Sequence, residues 1–467
     1  MAASPISMGA IRYQKHSDAN ASAALSPILP LREVAATLRE RPCRLVRMVT
    51  TDCYSIQHFS PVTNALALPA SVRRSILLLS FATFASMAAQ RICDAMLPEL
   101  SRVFAVSLAQ AAQVVSVFAI TYGAAQLFYG PLGDRLGKFR VITFATLFCS
   151  VGSLLAVFAS SLDALVLARL LMALGAAALI PLAMAWVGDA VPPELLQETL
   201  TRTGLGSTFG IVGGQLIGGL LTDALGWRWA FAFMTLLFGV VGSLLYVDLR
   251  RQRSAPKAAP KPSRLALRPG FVKQALRIIT GPWSRVILAM ALVEGAVGFG
   301  VLALWASHLQ RSLSLSPSLS GAIVALFGLG GMLYMAAGRH LIRRFGQQGL
   351  ALVGGAMVGL CALLLAYTPQ WLPAIPASLL AGFGFFMFHN TLQAHATQMA
   401  PEARGTAVSL FSSFLFLGQS LGVVLAAALI DRIGTSAVIA LGGVAMAAVG
   451  AFFDWALGQR DQALHPR

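Results

Sequence analysis

The chain has 467 residues, of which 57% are hydrophobic and 11% are charged; soluble domains usually carry about 25% charged residues. A soluble protein of this length cannot hide so much apolar surface from water, so the composition excludes a soluble enzyme, a disulfide-stapled secreted module and a disordered chain. The net charge of +17 comes from 35 Lys and Arg against 18 Asp and Glu, and in a membrane protein such a surplus reports on topology rather than on nucleic-acid binding.

Residues 1–74 form the first predicted segment. They are mixed and polar, and no apolar core follows their basic residues as it would in a signal peptide. We expect a cytosolic, disordered tail, and initiation at Met48 instead of Met1 is an open alternative.

Apolar runs recur from Ser75 onward, each close to the roughly 20 residues that a helix needs to cross a bilayer. The runs are unbroken, whereas strands of a membrane barrel would alternate apolar and polar residues, so we predict helices. The first six predicted spans are Ser75–Pro98, Ala109–Phe128, Val141–Ala159, Ala164–Trp186, Thr203–Leu221 and Trp229–Tyr246. The second six are Val286–Ala306, Ser320–Ala337, Leu350–Tyr367, Leu372–Ala396, Thr406–Leu429 and Ser436–Trp455.

The basic residues fall mostly on one side of these spans. With a cytosolic N-terminus, 29 of the 35 Lys and Arg lie on the cytosolic side, five lie on the outer side and Arg169 lies inside a span. This asymmetry follows the positive-inside rule. It predicts a multi-pass membrane protein with both termini in the cytosol, and we expect a bacterial-type cytoplasmic (inner) membrane.

A basic, Pro-rich stretch divides the spans six and six. We expect residues 250–285 to be a solvated linker between the halves 75–249 and 286–457, with a cytosolic tail at 458–467. Short echoes at equivalent places relate the halves. They are Gly214-Gln215-Leu216-Ile217-Gly218 with Gly418-Gln419-Ser420-Leu421-Gly422, and Arg135-Leu136-Gly137 with Arg344-Phe345-Gly346. A duplication of this kind is typical of transporters whose substrate site lies at the midplane between the halves.

Three motifs carry a resemblance to a known family. The loop after the second span resembles the signature loop of the major facilitator superfamily, through Gly130, Asp134, Arg135, Gly137, Lys138 and Arg140. Arg169, followed by Gly175 in the fourth span, resembles the membrane arginine of the same family. The fifth span resembles the antiporter motif of its twelve-span drug:proton antiporters, through Gly210, Gly214, Gly218 and Gly219. The resemblance covers the chain from Ser75 to Trp455. It implies an all-α fold with twelve transmembrane helices in two pseudo-symmetric six-helix halves.

The same resemblance implies a function. It is that of a secondary active transporter that moves a small organic solute by alternating access and exports it in exchange for protons. Gln215 stands where the antiporter motif usually has Pro, so an uptake symporter or uniporter on the same fold stays an alternative. A non-transporting sensor or a membrane enzyme is a further alternative function. The expected partners are a small-molecule solute, protons and the lipid bilayer, without nucleic acid, cofactor or metal, and we expect a monomer.

Charged residues inside the spans require a reason, since each costs about 2.5–3.5 kcal/mol at the bilayer centre even on a mild insertion scale. Glu294 lies near the middle of the seventh span, where a carboxyl that binds and releases a proton on alternate sides could couple transport to protons. Arg91 and Asp94 share one face of the first span, and Arg169 lies in an apolar stretch of the fourth. Each is a candidate for proton coupling or substrate contact, with a static pair as the alternative.

Other residues extend the candidate set. His389 and Gln393 on one face of the tenth span and Gln126 in the second could line a cavity, with a wet helix end as the alternative for the tenth span. By the family resemblance, Asp134 contacts the start of the eleventh span near Gly405–Thr406 and gates the two states, while the basic residues of its loop anchor the topology. The glycines of the fifth span, with Gly418 and Gly422 of the eleventh, fit close helix packing.

Overall fold

The computed structural model describes residues 68–254 and 271–464. Most of the predicted N-terminal tail, residues 255–270 of the predicted linker and residues 465–467 lie outside the described residues. Within the two described ranges the backbone is helical apart from short turns, and no strand occurs there.

The first half contains six helices that alternate in direction. They are α1 (Ala70–Val103), α2 (Leu108–Leu136), α3 (Lys138–Val157), α4 (Leu162–Ala190), α5 (Pro193–Leu225) and α6 (Trp227–Ser254). Their starts carry the expected signals: Ser107 and Ser161 cap the N-termini of α2 and α4, and Pro193 opens α5. A short 3-10 turn, Asp94–Met96, interrupts α1.

The second half begins with a short helix, Phe271–Thr280, which we call the linker helix. It is followed by α7 (Pro282–Leu313), by a long helix (Pro317–Tyr367) that breaks at Gly346, by α10 (Ala374–Gln398), and by a second long helix (Arg404–Leu464) that breaks at Gly434. The breaks divide the long helices into α8 (317–345) and α9 (347–367), and into α11 (404–433) and α12 (435–464).

In the described ranges, ten continuous helical stretches are long and apolar enough to cross a membrane. Dividing the two longest at their glycines gives twelve, which is consistent with the predicted spans. The linker helix lies inside the stretch for which a solvated linker is predicted, and residues 458–464 of the predicted C-terminal tail continue α12.

Four glycines with positive φ mark equivalent turns. Gly137 follows α2, Gly226 follows α5, Gly346 follows α8 and Gly434 follows α11, with φ between 64° and 94°. Residues that carry a side chain rarely adopt a positive φ, so glycine at these positions permits the sharp reversal between consecutive helices. The three residues before each glycine are Asp-Arg-Leu, Asp-Ala-Leu, Arg-Arg-Phe and Asp-Arg-Ile in chain order. The second and fifth helices of each half therefore end in the same way.

The alternation of the helices defines two ends of the bundle. The α2–α3 and α8–α9 turns, the linker helix and the start of α11 lie at one end, which we call the basic end. At the opposite end the two halves are joined: Gln310 Nε2 of α7 donates to the carbonyl oxygen of Ala95 of α1 at 2.8 Å, and the backbone N–H of Ser318 of α8 lies 3.4 Å from an Asp223 carboxylate oxygen of α5.

Small residues pack the fifth helix of each half onto the first. A Cβ added to Gly210, Gly214 or Gly218 of α5 would overlap the backbone of α1 at Phe84, Ala88 or Ile92. In the second half, Gly418 and Gly422 of α11 lie in the same way against the carbonyls of Leu292 and Ala296 of α7. Gly219 faces away from α1 and meets Pro317 of α8, which belongs to the other half.

Candidate functional site

A buried ion pair lies on α1 where it faces the second half. Arg91 and Asp94 are 1% and 0% exposed, and Arg91 Nη1 lies 3.5 Å from Asp94 Oδ2. Gln215 of α5 donates from Nε2 to the same oxygen at 2.7 Å. Arg91 Nε, Asp94 Oδ1 and Gln215 Oε1 have no hydrogen-bond partner among the described residues. The group is thus paired in charge and still has unused donors and acceptors.

Arg169 of α4 is held by backbone carbonyls. Its Nε donates to the carbonyl oxygen of Val114 at 3.1 Å and its Nη1 to that of Ala89 at 2.7 Å, while the guanidinium lies 4.1 Å from the centre of the Phe118 ring. The side chain is fully buried, and its Nη2 has no partner in the described part of the chain. The arginine therefore ties α4 to α1 and α2 and keeps one donor free.

The second half contributes a carboxyl–imidazole pair. Glu294 of α7 is fully buried, and its Oε1 lies 2.9 Å from Nδ1 of His389 of α10, whose side chain is 13% exposed. Glu294 Oε2 has no hydrogen-bond partner among the described residues. The next six residues, Gly295–Gly300, form a π-helix, a widened turn that is often found at functional sites. His389 thus lies inside the bundle rather than at a wet helix end.

Aromatic rings connect the two charged groups. The His389 ring stacks on Phe385 at 5.7 Å between ring centres, and the Phe299 ring lies 6.4 Å from His389. Phe299 also receives the Arg91 guanidinium 4.4 Å above its centre. A continuous series of contacts therefore runs from Asp94 in the first half to Glu294 in the second, through Arg91, Phe299 and His389.

Sequence reasoning missed Gln215 and Gln419 as site residues. Gln215 stands where the antiporter motif usually has Pro, and in the structure its side chain donates a hydrogen bond to Asp94. Its counterpart in the other half, Gln419 of α11, is buried and accepts at Oε1 a hydrogen bond from Gln90 Nε2 of α1 at 3.2 Å. The signal was present, because Gln215 and Gln419 occupy the same place in the two echoed Gly-Gln-x-x-Gly segments.

The signature loop forms its ion pairs within the first half. Lys138 Nζ lies 3.6 Å from an Asp134 oxygen and 2.5 Å from an Asp189 oxygen at the end of α4. Arg135 and Arg140 are exposed, Gly137 makes the turn and Gly130 has open space beside it. In the described residues no hydrogen bond joins Asp134 to residues 404–406, so the contact with α11 that the resemblance implies is not formed in this conformation.

The remaining candidates, Gln126 and Gln393, form no hydrogen bond with either charged group in the described part of the chain. Gln126 of α2 is 7% exposed and its Oε1 is unpaired among the described residues, and Gln393 of α10 is half-buried. A cavity of about 560 Å³ opens between α2 and α4, lined among others by Thr121, Phe128 and Tyr129, and none of the buried charged residues lines it. The buried charges are therefore closed off from that cavity.

The geometry allows a limited chemistry. Glu294 and His389 form one hydrogen-bonded carboxyl–imidazole pair, and Arg91, Asp94 and Gln215 form a second polar group. Each group keeps an unpaired oxygen among the described residues and can still accept a hydrogen bond.

Comparison with known proteins identifies the family. The model of the family described as Major Facilitator Superfamily matches residues 79–423. The chain belongs to the major facilitator superfamily. The resemblance predicted from the sequence motifs is confirmed, and so is the all-helical membrane fold.

Two relatives within the superfamily illustrate its range. The chain is 26% identical over 355 residues to the multidrug resistance protein B homolog of Mycobacterium tuberculosis, covering 64% of this chain and 65% of that protein. It is 25% identical over 353 residues to the inner membrane transport protein YnfM of Escherichia coli, covering 74% of this chain and 82% of that protein. The chain thus spans just under two thirds of the length of the first relative.

Solved structures of the superfamily share the fold. A bacterial homolog of the human lysosomal transporter Spinster, in an inward-facing and unoccupied conformation, has a TM-score of 0.64 at 18% identity, covering 83% of this chain and 95% of that chain. The nucleoside transporter NupG has a TM-score of 0.65 at 13% identity, covering 83% of this chain and 99% of that chain.

Proposed function

We propose that this superfamily member is an exporter that exchanges protons for a small organic solute by alternating access. The pair of Glu294 and His389 carries the proposal. It joins α7 to α10 at 2.9 Å, the carboxyl is fully buried and one carboxyl oxygen is unpaired among the described residues. A buried group that can exchange a proton has to be exposed to one side at a time, which requires the helices around it to move.

The backbone around Glu294 supports this role. The π-helix Gly295–Gly300 follows it directly, and such π-turns are frequently found at functional sites. Backbone-to-backbone packing of α7 on α11 at Gly418 and Gly422 lets the two helices slide without a side chain in the way. Movement of α7 would therefore change the environment of Glu294 while the α7–α11 contact is kept.

The Arg91–Asp94–Gln215 group supports a second part of the proposal, which is solute contact. It is buried between the halves and has unused hydrogen-bonding atoms of both kinds. A solute that enters between the halves can satisfy these atoms only while it is enclosed, and this favours binding in the occluded state.

Export and uptake are each favoured by a different observation. Export is favoured by the likeness to a relative named for multidrug resistance and by the glycines of α5. Uptake with protons, or uniport, is a second candidate, because Gln215 occupies the antiporter motif's proline position and donates to Asp94.

Transport in proteoliposomes distinguishes the candidates. The purified protein is reconstituted, a pH gradient of either sign is imposed, and uptake of a chemically diverse solute panel is followed. Antiport predicts that a solute accumulates on the side that holds more protons. Accumulation on the side that holds fewer protons, in the same direction as the proton flow, would show symport, and equal rates without a gradient effect would show uniport.

A further inference from the structure

The linker helix has one face fixed to the second half. Ile278 is 5% exposed and packs with Ala403, which directly precedes α11, and with Ala407 and Leu410 in the first turns of α11. The Thr406 hydroxyl donates to Gln274 Oε1 at 3.2 Å. The helix is thus attached to the first turns of α11 by both apolar and polar contacts.

The other face of the linker helix is cationic and exposed. Lys273 and Arg277 are one turn apart and exposed, and Leu276 between them is 56% exposed. In the described ranges neither basic residue forms an ion pair with a carboxylate. An amphipathic helix with basic residues on its polar face and an exposed apolar side chain is typical of helices that lie in a membrane interface.

The sequence around this helix has one sign of charge. Residues 250–285 include ten Lys and Arg and no Asp or Glu. Basic residues that adjoin a membrane span are attracted to anionic lipid, by about fivefold in affinity for each residue. Charge complementarity therefore favours an anionic headgroup over a zwitterionic one at this surface.

We propose that Lys273, Arg277 and Leu276 dock anionic lipid headgroups of the adjoining leaflet. Docking stabilises the linker helix on the start of α11 through Gln274 and Ile278. Gly405, beside Thr406, has open space around it, and no hydrogen bond from residues 404–406 to Asp134 occurs among the described residues. Anionic lipid therefore holds α11 in the arrangement in which its start bonds to the linker helix rather than to the signature loop.

Amide hydrogen exchange of the full-length protein in nanodiscs tests the proposal. Nanodiscs of phosphatidylcholine alone are compared with nanodiscs of phosphatidylcholine mixed with phosphatidylglycerol. In the mixed lipid, exchange of residues 271–280 should slow by up to about 25-fold, from about fivefold for each of two basic residues. Exchange of residues 404–410 should slow as well, because the start of α11 is bonded to the helix.

Substitutions assign the effect to the named residues. The double variant Lys273→Gln/Arg277→Gln should exchange at the same rate in both lipids, and at the wild-type rate in phosphatidylcholine, which shows that it is folded. Arg432→Gln, which removes an exposed arginine at the opposite end, should leave the lipid effect intact.

Four results would overturn the proposal. The first is equal exchange of the wild type in both lipids, and the second is a lipid effect that survives in the double variant. The third is the same slowing by inorganic phosphate in phosphatidylcholine nanodiscs, which would show a site for free anions. The fourth is slowing of residues 271–280 without residues 404–410, which would refute transmission to α11.

Discussion

At the residue scale, the buried charges are grouped rather than scattered. Asp94 has both Arg91 and Gln215 within bonding distance, and Glu294 has His389. Grouping lowers the cost of burial, but each group keeps an unpaired oxygen among the described residues. A purely structural pair would be expected to use all of its hydrogen-bonding atoms, so the unpaired atoms favour a functional role.

The Arg91–Asp94 pair makes a prediction about stability. Asp94→Leu leaves a buried guanidinium without its carboxylate and should lower the free energy of unfolding by about 3–5 kcal/mol. The double variant Arg91→Met/Asp94→Leu removes both charges and should recover most of that loss, as replaced buried pairs often do. Thermal unfolding in detergent measures both variants. Equal destabilisation of the single and the double variant would show that the two residues are not energetically paired.

Arg169 makes a prediction about geometry. Its planar guanidinium bonds to two carbonyls on different helices and stacks on Phe118. A lysine ammonium keeps the charge but cannot reproduce this fork and stack. Arg169→Lys should therefore destabilise the protein by about 1–3 kcal/mol, the cost of a lost buried hydrogen bond, while Arg404→Lys at an exposed position should have no effect on the melting temperature. An unchanged melting temperature for Arg169→Lys would contradict the structural tie.

At the element scale, the halves are built from helices that touch through glycine. Gly418 and Gly422 of α11 lie against α7 as Gly214 and Gly218 of α5 lie against α1. The small-residue spacing allowed this packing to be predicted from the sequence alone. The partner helix could not be predicted, because the spacing identifies the face of the helix that carries small residues but not the helix that packs against this face.

Gly418→Ala tests this contact. The new methyl group would overlap the Leu292 backbone carbonyl, which cannot move as a flexible side chain could, so the variant should lose about 1–3 kcal/mol of stability. Gly405→Ala is the matched control. It lies in the same helix with open space around it, and a helical Gly→Ala change there should be neutral or slightly stabilising. If both variants melt at the same temperature, the close contact does not hold.

Other features of the site could not be derived from the sequence. Glu294 and His389 are 95 residues apart, and both were singled out for separate reasons. Their pairing depends on the rotation and stagger of α7 and α10, which periodicity does not determine. The π-helix has no sequence signature beyond its four small residues, and the linker helix lies in a stretch whose Pro and basic content is typical of a solvated linker.

At the scale of the whole molecule, the sequence predicted the fold well because a bilayer restricts the possible structures. Span length, the charge asymmetry and the repeated motifs all describe one architecture, and the family match over residues 79–423 confirms it. The four positive-φ glycine turns at Gly137, Gly226, Gly346 and Gly434 add a finer repeat that relates the three-helix units within each half.

The membrane topology is a prediction that thiol labelling checks. In a variant without its five native cysteines, Gln370→Cys lies at the opposite end and Arg343→Cys at the basic end, and both positions are exposed. An impermeant thiol reagent added to intact cells should label the first and not the second, because the basic end is predicted to face the cytosol. Labelling of Arg343→Cys alone would show that the topology is the inverse of the predicted one.

The central claim is that Glu294 couples transport to protons, and one comparison tests it most directly. In proteoliposomes, Glu294→Gln should retain exchange of labelled solute for unlabelled solute, which needs alternating access but no net proton movement. The same variant should lose all accumulation driven by an imposed pH gradient, while Glu198→Gln at an exposed position should keep both activities. Gradient-driven accumulation at the wild-type level in Glu294→Gln would contradict the coupling role.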